Sequence, residues 1–229
     1  MTGPLVQKDD LEPLLAALDL AGADVLDLGC GVGSLARRIA KESGAMSVTA
    51  IDADATQIER AIKKGGGVNY LTGTAEALPL ADASLDAIVM MKSLHHVPIS
   101  EMDAAFAEMM RVLRPRGHVY ICEPAYEGSF NDILRLFHDE GIVRAAALEA
   151  IGRAKAGQFE IAQSSDYLLI TNFQNLDDFR GKMMNVPWLE NQITPEIEKQ
   201  VAAAWQDHAA PDGRATLSSR MLVFVLRKL

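Results

Sequence analysis

Residues 25–33 read Val-Leu-Asp-Leu-Gly-Cys-Gly-Val-Gly, and this stretch decides the fold. The run VLDL at 25–28 has the length of one buried strand. It closes on Gly29, and glycine recurs at Gly31 and Gly33. Glycines at alternate positions let a chain turn sharply and bring its backbone against a ligand with no Cβ in the way. A helical pattern follows at 34–42, with Leu35 and Ile39 inward, so the free N–H groups of its first turn point to the same place. One glycine would suffice for a bare strand-to-helix turn.

Outward from this loop, four more short apolar runs alternate with helical patterns: SVTAID at 47–52, VNYL at 68–71, LDAIVMM at 85–91 and HVYICE at 118–123. Each is rich in Val, Ile or Leu and bounded by Gly, Asp or Pro, as in strands buried on both faces. Met102, Phe106, Met109 and Leu113 fall on one helical stripe. Ser100 is the expected N-cap of that helix, with Asp103 three residues on, and Pro115 its expected stop. Such alternation predicts an α/β fold, a three-layer αβα sandwich around a mostly parallel sheet. Beyond residue 123 the text is helical over 128–156, strand-like at 166–173 and 221–226, and helical again at 196–208. With no repeat or linker in sight, a single domain over 1–229 is expected, its halves meeting near 123–124.

The net charge is −9. An acidic surface repels phosphate backbones and anionic lipid, which argues against a nucleic-acid or membrane partner. The two cysteines, Cys30 and Cys122, form no CxxC pair. That usage fits a reducing, cytoplasmic setting without a disulfide framework or zinc site. The opening MTGPLVQKDDLEPL has no basic region followed by an apolar run, so no signal peptide is expected. No apolar stretch reaches the ~18 residues of a membrane span. A homodimer is compatible with all of this.

Asp27 tells what kind of ligand the glycine loop takes. A carboxylate two residues before the first glycine would oppose a dinucleotide pyrophosphate, and the third small residue of the dinucleotide pattern falls on Ser34. A nicotinamide oxidoreductase is therefore disfavoured. S-adenosylmethionine, with an ammonium and a sulfonium, has the right sign. The second strand ends in Asp52, nineteen residues after Gly33, where a carboxylate can accept from two ribose hydroxyls.

The loop is one of an ordered set. Gly73-Thr74-Ala75-Glu76-Ala77-Leu78-Pro79 follows the third strand, Ser93-Leu94-His95-His96-Val97-Pro98 the fourth, and Arg111-Val112-Leu113-Arg114-Pro115-Arg116-Gly117 precedes the fifth. Over residues 23–123 this set resembles the class I, Rossmann-like S-adenosylmethionine-dependent methyltransferases, most closely their small-molecule enzymes. The resemblance implies a seven-stranded sheet in the order 3-2-1-4-5-7-6, with a helical lid over 127–157. It implies that Gly29, Cys30, Gly31 and Gly33 cradle the cofactor, that Asp27 faces its ammonium and that Asp52 clasps its ribose. Ala53, Ala75 and Glu76 would border the adenine, and Met91 and Lys92 the mouth where donor and acceptor meet. The family usually has Pro-Gly-Gly where this chain has Pro115-Arg116-Gly117, and Gly117 is expected to make that turn.

Methyl transfer needs alignment and exclusion of water more than a dedicated catalytic group. His95 and His96 are the candidate general bases, His96 ranked first. Glu123 and Tyr126, just past the fifth strand, are the candidate acceptor-pocket residues. His138, Asp139 and Glu140 point about 100° apart on a helix, so no metal is expected from them, and Glu140 and Arg144 read as a surface i,i+4 pair. The expected function is methyl transfer to a small-molecule acceptor. The alternative is a protein that binds S-adenosylmethionine or S-adenosylhomocysteine for regulation without turnover.

Overall fold

Val25, Leu26 and Leu28 are at most 3% exposed, as a strand covered on both faces requires. The computed structural model describes residues 5–157, 159–186, 189 and 192–229. The first four residues of the opening stretch lie outside the described residues. The strands are β1 (Leu5–Gln7), β2 (Asp24–Leu28), β3 (Ser47–Asp52), β4 (Asn69–Thr72), β5 (Leu85–Met91), β6 (Leu113–Pro124), β7 (Phe159–Phe173) and β8 (Ala215–Lys228). The helices are α1 (Leu11–Ala17), α2 (Ser34–Glu42), α3 (Ala55–Lys64), α4 (Met102–Val112), α5 (Ser129–Leu134), α6 (Gly141–Lys155), α7 (Leu176–Met183) and α8 (Pro195–Gln206).

The sheet order is β1-β7-β8-β6-β5-β2-β3-β4. The sheet therefore has eight strands, not the expected seven. The added strand is β1, which pairs in parallel with β7 through Leu5↔Tyr167 and Gln7↔Leu169. A three-residue strand whose partner lies some 160 residues away leaves no local periodicity to read. The other seven lie in the order the resemblance implies, listed from the opposite edge.

Contacts divide the chain into two compact units. The larger comprises Asp10–Glu123, Val143–Ser165 and Leu222–Leu229; the smaller comprises Met1–Asp9, Pro124–Ile142 and Asp166–Met221. In the larger unit β2 pairs in parallel with β3 and with β5, β3 with β4, and β5 with β6. Parallel strands need crossovers, and α2, α3 and α4 supply them. Its core gathers Leu26, Ile51 and Ile88 from the strands with Phe106 and Met109 from α4 and Ala147 and Ile151 from α6. Asp54 caps α3 by accepting from Thr56 N–H at 2.8 Å, the service a short acidic side chain gives an N-terminus.

The stripe on α4 is Met102, Ala105, Phe106, Met109 and Val112, all buried. The helix begins after a 3-10 turn at Ile99–Glu101, so Glu101 rather than Ser100 stands at its N-cap. Leu113 already has extended backbone, so the helix ends before Pro115 can stop it. The turn at 114–117 sits in a register shift between Leu85↔Leu113 and Ala87↔His118. Arg116, not Gly117, takes the left-handed conformation there, at φ 67°. A Cβ on Gly117 would press on Leu113 Cδ2 at 2.9 Å and Arg114 O at 3.0 Å, so that glycine serves close approach instead.

The smaller unit has its own core. Phe173, Phe179 and Trp205 pack edge-on or tilted at 5.1–6.2 Å between ring centroids, with Ile133, Leu189 and Leu217 around them. The helical text at 128–156 is two helices, α5 and α6, with 135–140 outside both.

Candidate active site

All the geometry of the glycine loop follows from the end of β2. The N–H groups of Gly29 and Cys30 both donate to Ile51 O, at 2.8 and 3.0 Å, which folds the loop over the end of β3. Gly33 N–H donates to Cys30 O at 2.9 Å and closes the turn before α2. Gly29, Gly31 and Gly33 have φ of 78°, 53° and 69°, a region costly for any residue with a Cβ. The three glycines nevertheless answer to different neighbours. A Cβ on Gly29 would run into Ser93, and one on Gly33 would meet the Tyr70 ring at 2.6 Å. A Cβ on Gly31 would meet nothing within 4 Å. It would stand in an open pocket of 660 Å³ that Gly31 helps to line.

Two carboxylates serve this loop in different ways. Asp52 Oδ2 accepts from Gly31 N–H at 2.7 Å, and Oδ1 accepts from Asp54 N–H at 2.9 Å. Asp52 thus holds the loop and lines the pocket at once. Asp27 is 2% exposed. Among the described residues nothing hydrogen-bonds to its Oδ2. Burial pushes its carboxyl from 3.8 up to about 7; a backbone N–H from Ala36 offsets this in part, and the Asp52 charge adds to it. Burial also pushes the Cys30 thiol up to about 12, with Asp27 and Asp52 adding to the effect. That removes it as a nucleophile near neutral pH.

The facing wall grows from the end of β5. Lys92 has φ 58°, its N–H donates to Cys122 O at 2.7 Å, and its ammonium pairs with Asp10 at 2.5 Å. The positive charge at this edge is therefore met by an acidic partner. Ser93 Oγ donates to Leu28 O at 2.7 Å, and Leu94–His96 form a 3-10 turn. A third wall, residues 74–79, is held from α4. Glu108 accepts from Leu78 N–H at 2.8 Å, and Arg111 donates to Leu78 O, Leu80 O and Asp82. Glu108 was not singled out from sequence, and Arg111 only as the first residue of the 111–117 segment; their i,i+3 spacing marks a pair but not the distant loop it holds.

Of the residues named from sequence, Gly29, Gly31, Asp52 and Ala53 line the pocket, as do Ala75, Glu76, Lys92 and His96. Ser93, Val97 and Pro98 line it too, a contribution that only the 3-10 turn brings about. Asp27, Cys30, Gly33, Met91 and His95 are not among its lining residues. Nor is Glu123, the expected acceptor contact. Glu123 is 1% exposed, and its two oxygens are engaged by Leu94 N–H and the His95 ring. Tyr126 belongs to the smaller unit, where its hydroxyl donates to Asp139 at 2.8 Å. Glu140 and Arg144, read as a surface pair, are 9% and 6% exposed, and Glu140 meets His138 Nε2 at 2.9 Å.

The model of the methyltransferase domain family matches residues 25–117, which span β2 to the turn before the main run of β6. The chain is 33% identical over 183 residues to the ubiquinone/menaquinone biosynthesis C-methyltransferase UbiE of Brucella abortus, covering 76% of this chain and 65% of that protein. The chain thus carries a region similar to the methyltransferase domain family over residues 25–117. Another relative, the methyltransferase GfsG of Streptomyces halstedii, is 36% identical over 129 residues. The chain covers 45% of that protein's length, so it spans about half to two thirds of these two curated relatives. The fold is also that of the YcgJ protein of Bacillus subtilis, with a TM-score of 0.64, 20% identity, and 95% and 97% of the two chains covered. The region that matches the family contains the pocket, because every residue lining the pocket lies between residues 28 and 98. Among the described residues, no helix is long and apolar enough to cross a membrane.

Proposed function

We propose that this chain transfers a methyl group from S-adenosylmethionine to a small organic acceptor at the 660 Å³ pocket. One observation carries the reading. Asp27 buries a carboxylate oxygen without a partner among the described residues, and four residues on Gly31 lines the pocket with no atom within 4 Å of where its Cβ would stand. An unsatisfied buried acceptor is costly, and an ammonium donor satisfies it. In this reading Asp52 turns its remaining lone pairs to the ribose hydroxyls, and Ala53, Ala75 and Glu76 border the adenine. Gly29, Cys30 and Gly33 shape the cradle, and Met91 and Lys92 edge the mouth. The cofactor supplies a methyl group already activated by the adjacent sulfonium.

What the protein adds is mainly placement. The Asp10 carboxylate neutralises the Lys92 ammonium, which would otherwise oppose a sulfonium. His96, exposed at the pocket, can take a proton from an acceptor that must lose one. Both named relatives are methyltransferases, and one is a C-methyltransferase; a carbon acceptor on a small molecule is the chemistry this supports. We further propose that the chain works as one methyltransferase domain in the cytoplasm, with its acceptor half over 124–229. Incubation with methyl-labelled S-adenosylmethionine and a panel of phenols, quinols, amines and thiols tests this by label transfer and S-adenosylhomocysteine release. Binding of the cofactor with no transfer to any class would favour the regulatory alternative, and no binding of either nucleoside would overturn both.

A further inference from the structure

Glu123 stands at the end of β6 with 1% of its surface exposed, and His95 beside it has 4%. A buried charge is retained only where hydrogen bonds compensate its desolvation. Here the two carboxylate oxygens are used separately. Oε1 accepts from Leu94 N–H at 2.9 Å, and Oε2 meets His95 Nδ1. Leu94 and His95 are consecutive residues of the 3-10 turn that also carries His96. The rings of His95 and His96 lie 4.1 Å apart, tilted by 42°, and His96, Ser93, Val97 and Pro98 line the pocket.

We infer that Glu123 is a positioning residue for the pocket wall. It acts through His95 and the turn, not through contact with a ligand, and the inference rests on the pocket being the methyl-transfer site proposed above. The chemistry of the pair defines the action. An ionised carboxylate only accepts, so the ring nitrogen that faces it must carry a proton. Glu123 thereby fixes His95 with Nδ1–H toward β6, and fixes its ring plane. The His96 ring rests against that plane, and the backbone bond at Leu94 pins the turn that carries both. A neutral amide could also hold Leu94 but would present an N–H to the ring; an acceptor-only group holds Leu94 and dictates the Nδ1–H tautomer of His95.

The test pairs ring-nitrogen NMR of ¹⁵N-histidine protein with calorimetric titration of S-adenosylhomocysteine. In the wild type, His95 should report a protonated Nδ1 with a strongly downfield, slowly exchanging ring proton. Glu123→Gln keeps an acceptor for Leu94 but presents an N–H to the ring; His95 should switch to the Nε2–H tautomer while affinity stays within about twofold. Glu123→Ala removes both bonds; the His96 signals should move and affinity should fall about tenfold or more. Unchanged His95 signals in Glu123→Gln would overturn the inference. So would Glu123→Ala binding S-adenosylhomocysteine as tightly as wild type with unmoved His96 signals. If Glu123→Ala does not fold, the Glu123→Gln signals decide. Failure of the wild type to bind S-adenosylhomocysteine would sink the cofactor reading instead, and the ring signals of the free protein would still judge Glu123.

Discussion

Replacing Asp27 by Asn should remove a decline in this protein's stability as pH rises from about 4 to about 7. In the folded, ligand-free protein the Asp27 carboxyl titrates at about 7, against 3.8 ordinarily, chiefly because it is buried. A raised carboxyl pKa means that the fold prefers the protonated form. Stability from this group is therefore fully present below about pH 4 and is lost as pH rises toward 7, because unfolding then releases a proton. The span corresponds to about 4 kcal/mol in total, or about 1.4 kcal/mol per pH unit within the window. Asparagine cannot ionise, so the variant lacks this decline. Its amide nitrogen meets the site where Oδ2 has no partner, at a pH-independent cost of about 1–3 kcal/mol. Asp27→Asn should thus be less stable than wild type at pH 4 and more stable by about 1–3 kcal/mol at pH 8. Urea unfolding of both proteins, ligand-free, across pH 4–8 measures the difference directly. A difference that does not change with pH would refute the assignment of Asp27 as a buried, unpaired acid.

Four further outcomes follow from the same structure. Gly29→Ala drives a Cβ into Ser93 and should cost about 3 kcal/mol or more in stability. Gly31→Ala meets no protein atom, so thermal unfolding should show only the ~1–2 kcal/mol of left-handed backbone while S-adenosylhomocysteine binding is lost; equal effects of the two variants on stability would contradict this. Arg116→Gly relieves a left-handed φ of 67° and should stabilise by about 0.5–1 kcal/mol in chemical denaturation; a destabilisation would mean that the Arg116 side chain matters more than its backbone. Asp52→Ala should weaken S-adenosylhomocysteine binding by about 1.5–3 kcal/mol and also destabilise the free protein by about 1 kcal/mol, because Asp52 holds Gly31 N–H; unchanged stability would show that this backbone bond contributes nothing.

The parts of this molecule that were legible in its sequence are those fixed by near neighbours in the chain. The loop at 29–33 and the acidic strand tip at Asp52 announce themselves because glycine spacing and strand length are local. β7 begins at Phe159 rather than 166, and its start was hidden in the sequence because the exposed residues 162–165, among them Gln163 and Ser164, interrupt the apolar run. β6 contains Pro115 and Gly117, which read as a turn, and the register shift opposite Leu85 accommodates them inside the strand. Glu123 was read as a pocket contact because strand tips in parallel sheets face ligands. Its partners Leu94 and His95 lie 29 and 28 residues away, beyond any local pattern. The roles of the three glycines separate only once Ser93 and Tyr70, distant in sequence, close on two of them.

The most direct test of the account is calorimetric titration of S-adenosylhomocysteine into the wild-type protein beside Gly31→Ala. The account predicts saturable one-site binding in the micromolar range or tighter for wild type, and none for a stably folded Gly31→Ala. Absence of binding to wild type at high micromolar ligand, or equal affinity for both proteins, would contradict it.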